Sequence, residues 1–342
     1  MKRKLKIAIT ADPELPVPPL LYGGIERVID MLIKGLIEMG HDVSLFAHSD
    51  SSTGAKLYSY PGKRSSNKRD FLRNTFLINK VLLTERFDVV HSFGRLAYLL
   101  PLLPFSIPKI MSYQREPTLG QINKAVKLAK KGTLAFTGCS DYISKQIAPY
   151  APSYTVYNGV PLETYEFKAT VSDDAPLVFL GRIEPIKGPH NAIKAALSTN
   201  RKLVIAGNIP DSYRSYFNKE ISPFLNNDIR YIGPVDDVQK NELLGNASAF
   251  LMPIEWDEPF GIVMAEALAC GTPVIGYRKG AVPEVVKHGL NGFVTDSFSD
   301  LCECIRKVSS LKRLDSRVVA EQRFSNEVIV EEYLKLYNLR IG

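Results

Sequence analysis

Four residues in the second half of the chain carry charge where charge has a use. Arg182 and Lys187 stand five positions apart in GRIEPIKG (181–188), and Glu258 and Glu266 stand eight apart in EPFGIVMAE. An arginine offers a planar fork of donors and a lysine a compact point charge, a pair suited to a diphosphate. Pro259 fits the first turn of a helix, Gly261 lets a backbone come close to a ligand, and Ile262 to Ala269 read as a short helix stopping at Cys270-Gly271. Glu258 then precedes the helix N-terminus, where free N–H groups favour a phosphate, and Glu266 falls on the second turn within an apolar run. Charged side chains are seldom fully buried without a partner, so Glu266 either faces solvent or is held for a ligand.

The elements that must hold these groups alternate. KLKIAIT (4–10) is a short apolar, β-branched run of the buried parallel-strand type. After the proline-rich PELPVPPLLYGG, residues Ile25, Val28, Ile29, Leu32, Ile33 and Leu36 recur at three and four, and Gly40 sits where a C-terminal glycine cap belongs. DVSLFAH is the next strand, completing a βαβ unit whose ligand-binding loops lie at the strands' carboxyl ends. The pattern restarts after residue 170 with APLVFLG, the loop and helix RIEPIKGPHNAIKAAL, then KLVIAGN, DIRYIGPV and TPVIGYR. A chain of 342 residues is too long for one ordinary core. The expectation is α/β: two Rossmann-like, doubly wound parallel-sheet domains over 1–165 and 172–325, with 326–342 as a closing helix packing back towards the first.

Composition narrows the classes. With 45% hydrophobic and 23% charged residues the chain reads as a soluble globular protein. No apolar run approaches the roughly 20 residues of a membrane span, and MKRKLKIAIT is expected to be neither a signal peptide nor an anchor. Cys139, Cys270, Cys302 and Cys304 lack zinc-site spacing, so a reducing cytoplasm is the expected location. No carboxylate cluster for a divalent ion accompanies the four charges, and no metal or other cofactor is expected. The net charge of +7 is uneven, with 22 basic against 12 acidic residues to position 160 and 21 against 24 beyond it. The excess concentrates in GKRSSNKRDFLRN (62–74) and GQINKAVKLAKKG (120–132). Such runs suit a solvated face, or contact with phosphates or an anionic membrane surface. Without aromatic interleaving they do not suggest nucleic acid.

Taken together, the motifs resemble the retaining GT-B glycosyltransferases, specifically glycosyltransferase family four. The similarity runs through LYGGIERV, GHDVSLFA, DVVHSFG, YNGVPLETY, GRIEPIKG, AGN, EPFGIVMAE and GAVPEVVKHGLNGFV. The order and spacing of these motifs carry the likeness. The resemblance implies two domains facing a central cleft, the first reading the acceptor and the second a nucleotide-diphosphate sugar. Arg182 and Lys187, beside Gly181, would hold the diphosphate and stabilise the charge that builds as the glycosidic bond breaks. Glu266 would accept hydrogen bonds from the ribose hydroxyls. Glu258 would sit beside the transferred sugar, reached by the backbone at Phe260, Gly261 and Ile262, and Gly23 and Gly24 would face the diphosphate. The expected reaction is metal-independent transfer to an acceptor hydroxyl of a glycan, a lipid-linked sugar or a small molecule, with retention of configuration.

One position departs from that pattern. MSYQREP places Gln114 where the resemblance expects a histidine. Glutamine can hydrogen-bond a sugar hydroxyl but cannot titrate, so the histidine's role does not carry over directly. Gln114, Arg115 and His91 are the acceptor-side candidates, His91 having a satisfied core histidine as its alternative. A sugar-nucleotide epimerase fits the four charged residues less well. A dinucleotide oxidoreductase would need a GxGxxG turn after the first strand, where this chain has a proline-rich loop. A donor-binding protein with little turnover is the remaining reading.

Overall fold

The computed structural model describes residues 3–20 and 23–342. Leu21 and Tyr22 of the LYGG motif lie outside the described residues. The chain divides into two compact units, Met1–Gly159 with Asn326–Gly342, and Val160–Ser325.

Among the described residues the first unit holds a seven-stranded sheet. Its strands are β1 (Lys6–Thr10), β2 (Asp42–Ala47), β3 (Lys56–Ser59), β4 (Val89–Ser92), β5 (Lys109–Tyr113), β6 (Leu134–Gly138) and β7 (Ser153–Thr155). The order is β3-β2-β1-β4-β5-β6-β7 and neighbouring strands run parallel. The strand order reverses between β1 and β4, the switch point where open α/β sheets leave a crevice for ligands. Helix Gly24–Glu38 buries Val28, Ile29, Leu32, Ile33 and Leu36 and ends before Gly40, whose φ of 85° is left-handed. The last helix, Asn326–Ile341, belongs to this unit. It packs against helix Gly24–Glu38 closely enough that a Cβ on Gly35 would come within 2.6 Å of Val330.

The second unit repeats the plan with six strands among the described residues: β8 (Leu177–Leu180), β9 (Leu203–Ala206), β10 (Ile229–Tyr231), β11 (Ala249–Met252), β12 (Val274–Tyr277) and β13 (Gly292–Thr295). Their order is β10-β9-β8-β11-β12-β13, with the reversal between β8 and β11. Leu177, Phe179, Leu203, Ile205, Leu251 and Ile275 point into a core closed by Ile193, Leu301 and Ile305.

The units part between Gly159 and Val160 rather than within 165–172. The physical reason is that residues 160–168 are bonded into the second unit. Val160 N–H donates to Phe324 O, Glu166 N–H to Asn241 Oδ1, and Lys168 N–H to Cys270 O. Buried Arg313 adds a hydrogen bond to Lys168 O while spending its other donors on Ala247, Gly245 and Thr272. Burial among these neutral acceptors pushes its guanidinium down to about 10.

Candidate functional site

Three of the four charged residues from the sequence gather at the switch point of the second sheet. Arg182 follows β8 by two residues, and Lys187 ends the 3-10 turn Pro185–Lys187. Gly188 then takes φ 73° and opens helix Pro189–Thr199, and a Cβ there would lie 2.0 Å from Pro253 O, so only glycine fits the turn. On the other side of the reversal, the loop after β11 carries Trp256 and Glu258. Lys187 Nζ donates to Glu258 Oε2 at 2.6 Å, and Trp256 Nε1 donates to the same oxygen at 3.1 Å. The ammonium also stands 4.7 Å from the Trp256 ring centroid, over its electron-rich face. The Glu258 backbone is fixed from behind by the GAVPEVV loop, where Ala281 N–H donates to Glu258 O and Gly280 N–H to Asp257 Oδ1.

Arg182 is 39% exposed at its side chain and its Nη2 lies 2.8 Å from Oε1 of buried Glu184. That contact is an ion pair without hydrogen-bond alignment, since Glu184 Oε1 has no hydrogen-bond donor. Part of the guanidinium therefore stays open to solvent. Gly181 lies between β8 and Arg182, its carbonyl pressed against Gly207, where a Cβ would come within 1.9 Å.

Glu266 is the fourth, on the helix that follows the Glu258 loop. Helix Ile262–Ala269 places it on the second turn, 6% exposed, with Oε1 accepting from Tyr165 OH at 2.7 Å and from Lys240 Nζ at 2.6 Å. Neither a solvent-facing nor a vacant carboxylate describes it, because the chain supplies a cation from helix Asp237–Gly245. Both bonds end on Oε1. Burial, then the neighbouring Glu266 charge, pushes the Tyr165 phenol well above its usual range. Gly261 caps the helix with φ 73°, Ile262 is partly exposed at its start, and Phe260 is buried edge-on against Phe324 with ring centroids 5.7 Å apart. Phe260 thus offers its backbone, not its ring.

In the first unit, a pocket of about 250 Å³ opens at the carboxyl ends of β4 and β5, lined by Phe93, Gly94, Gln114, Arg115, Glu116 and Thr118 among others. Gln114 Nε2 is buried there without a hydrogen-bond partner. Arg115 is mostly exposed, its Nη2 3.6 Å from Asp12 Oδ2. Burial and then Glu14 raise the Asp12 carboxyl, against Arg115 and Arg95, which lower it. Gly23 and Gly24 begin helix Gly24–Glu38, and a Cβ on Gly23 would fall 2.7 Å from Pro19.

His91 is a correction. It lies on β4 with no exposed surface, Nδ1 2.6 Å from Tyr337 OH and Nε2 2.6 Å from Ser112 Oγ. Both ring nitrogens are bonded inside the protein, and burial drives the imidazole down to about 3. It joins the last helix to the sheet and does not reach an acceptor. Sequence reasoning passed over Glu184, Trp256, Lys240 and Tyr165. The first two lie inside or beside the motifs and could have been weighed as their acidic and aromatic neighbours. Tyr165 closes the YNGVPLETY motif, 101 positions from Glu266, whereas Lys240 lies 26 positions from it with no local signal.

The chain matches two family models over nearly all of its length. The model described as "Glycosyltransferase Family 4" matches residues 22–164, and "Glycosyl transferases group 1" matches residues 163–323. Spore coat protein SA of Bacillus subtilis (strain 168) is 25% identical over 97% of this chain and 99% of its own length. The structure of AviGT4, a glycosyltransferase involved in avilamycin A biosynthesis, is 26% identical with a TM-score of 0.71, covering 99% of this chain and 98% of that one. HepE of Anabaena, solved with UDP-glucose, shares the fold at 17% identity and a TM-score of 0.74, covering 98% of this chain and 100% of that one. Two consecutive family models, relatives aligned end to end and two doubly wound sheets place this chain among the group 1, family four glycosyltransferases of the GT-B fold.

Proposed function

We propose that the protein transfers a sugar from a nucleotide-diphosphate donor to an acceptor hydroxyl, with retention of configuration and without a metal ion. The observation that carries this reading is the Lys187–Glu258 pair at the β8/β11 switch point, with the partly open Arg182 guanidinium on the same loop. An open sheet binds its ligand at that reversal, and two cations there neutralise the departing diphosphate that a metal would otherwise hold. Arg182 has solvent-facing donors to give. Lys187 is held by Glu258 and Trp256 in one place, so its charge is positioned before the donor arrives, which is the form of electrostatic stabilisation that needs no reorganisation during reaction. Glu258, fixed at its backbone by Ala281, is set to take a hydroxyl of the transferred sugar. The ribose reading for Glu266 assigns the diol to its second oxygen, Oε2, with Lys240 and Tyr165 steadying the carboxylate through Oε1.

HepE, of the same fold, has been solved with UDP and with UDP-glucose, which supports a nucleotide sugar as donor. Cys270, Cys302 and Cys304 are free thiols, in keeping with a reducing cytoplasm. Acceptor recognition falls to the first-unit pocket, with Gln114 and Arg115 as its polar contacts. The test is a thermal-shift panel of UDP-, GDP-, ADP- and TDP-sugars with and without chelator. A donor at about 100 times its Kd should stabilise the fold by about 2.7 kcal/mol, unchanged by chelator. A shift that chelator removes would sink the metal-free mechanism. A shift without transfer to any acceptor would favour a donor-binding protein.

A further inference from the structure

The helix Lys68–Thr84 in the first unit presents an outward face that its own fold leaves unused. Leu72 is 65% exposed, Phe76 70% and Leu83 52%. At about 100° per residue these three fall within about 40° of the helix circumference, and Arg69, Lys80 and Arg73 fill about the next 60°. The inward face buries Asn74, Ile78, Asn79 and Leu82, so the apolar stripe is not the one that packs the core. The nearby carboxylates are both engaged: Asp70 accepts from the backbone N–H groups of Lys63 and Arg64, and Glu85 pairs with Lys6 and Lys56. Lys68, Arg69, Arg73 and Lys80 are exposed and have no ion-pair partner among the described residues. An apolar stripe bordered by unpaired cations, with the acids nearby already engaged, is complementary to an anionic bilayer: apolar side chains enter the interface while long basic side chains reach phosphates beside them.

We infer that the outward face of helix Lys68–Thr84 docks on an anionic membrane surface. No helix among the described residues is long and apolar enough to cross a membrane, so this contact is peripheral. The helix also packs on the 3-10 segment Leu96–Leu102, whose first residues line the pocket near Gln114. Docking there brings the pocket close to a lipid surface.

The experiment is sedimentation with vesicles of phosphatidylcholine alone or mixed with phosphatidylglycerol. The protein should pellet with the anionic vesicles only. Each surface cation contributes about fivefold to partition, so a variant carrying Arg69→Gln, Arg73→Gln and Lys80→Gln should lose about a hundredfold. A Leu72→Ser, Phe76→Ser variant should lose at least about tenfold. Both change exposed side chains and should keep the wild-type unfolding midpoint and donor-induced thermal shift. In a Phe76→Trp variant, emission should shift to the blue with anionic vesicles. Equal recovery in both supernatants overturns the proposal, as does pelleting that survives both variants. Capture of an acidic protein without lipid binding would put a protein in the membrane's place and overturn it as well.

Discussion

The two switch points are built to the same topology and filled with opposite chemistry. In the second sheet the charges are answered from within: Lys187 by Glu258, Arg182 by Glu184, and Glu266 nearby by Lys240 and Tyr165. In the first, polar atoms are left over, with Asp12 Oδ1 and Gln114 Nε2 both buried without a hydrogen-bond partner beside a pocket. A buried polar atom without a partner costs roughly 1–3 kcal/mol, so that edge carries a cost a bound hydroxyl can relieve. Among the described residues the second edge carries one such atom, Glu184 Oε1, and sets it beside the Arg182 guanidinium. The difference teaches that one Rossmann-like plan can serve a rigid charged site and an adaptable polar one, according to whether its loops supply both members of each pair.

The largest effect should come from the rigid site. Arg182→Ala and Lys187→Ala should each lower kcat/KM by about a thousandfold, in line with loss of a preorganised charge at a departing anion. Steady-state rates within tenfold of wild type would remove the diphosphate assignment. Next, Lys240→Ala should destabilise the second unit by about 3 kcal/mol, because it strands the buried Glu266 carboxylate. Urea titration reads this directly, and a loss below about 1 kcal/mol would mean that Glu266 relaxes towards solvent.

His91 should act through pH. Its folded value, about 3, lies below the ordinary 6.5, so the unfolded chain takes up a proton that the native state refuses. The stabilising contribution is fully present above pH 6.5 and declines as pH falls from there towards 3, at about 1.4 kcal/mol per unit. In His91→Gln that share of the slope should vanish from stability measured by urea between pH 7 and pH 5. The smallest effect belongs to the adaptable edge. Gln114→His should alter transfer only several-fold, while adding an inflection near pH 6.5 to the rate profile. A profile superimposable on wild type would place Gln114 outside the reacting region.

Much of the architecture was legible in the linear chain. The stripe Ile25 to Leu36, with Gly40 past its end, became a helix packed on the first sheet, and the short β-branched runs became parallel strands. These signals are local: a helix repeats its buried face every three or four residues, and a doubly buried strand is continuously apolar. Gly188 and Gly261 could be located as turn glycines for the same reason, since their left-handed φ of 73° is a property of one residue. The unit boundary was misplaced because residues 160–168 look like a linker in composition, and only their bonds to Phe324, Asn241 and Cys270 assign them to the second unit.

The residue types that can hold a diphosphate, the spacing of the two glutamates and the alternating element pattern follow from the order of amino acids alone, because each depends on neighbours within a turn or a loop. The partners do not. Glu266 meets Lys240 and Tyr165, and His91 meets Tyr337 from 246 positions away. Whether a carboxylate is vacant or paired, and whether a histidine is a switch or a sealed core residue, depends on which distant side chain the chain path delivers within about 3 Å, the reach of a hydrogen bond. That selection is made by packing of the whole fold, and no periodicity in the chain encodes it.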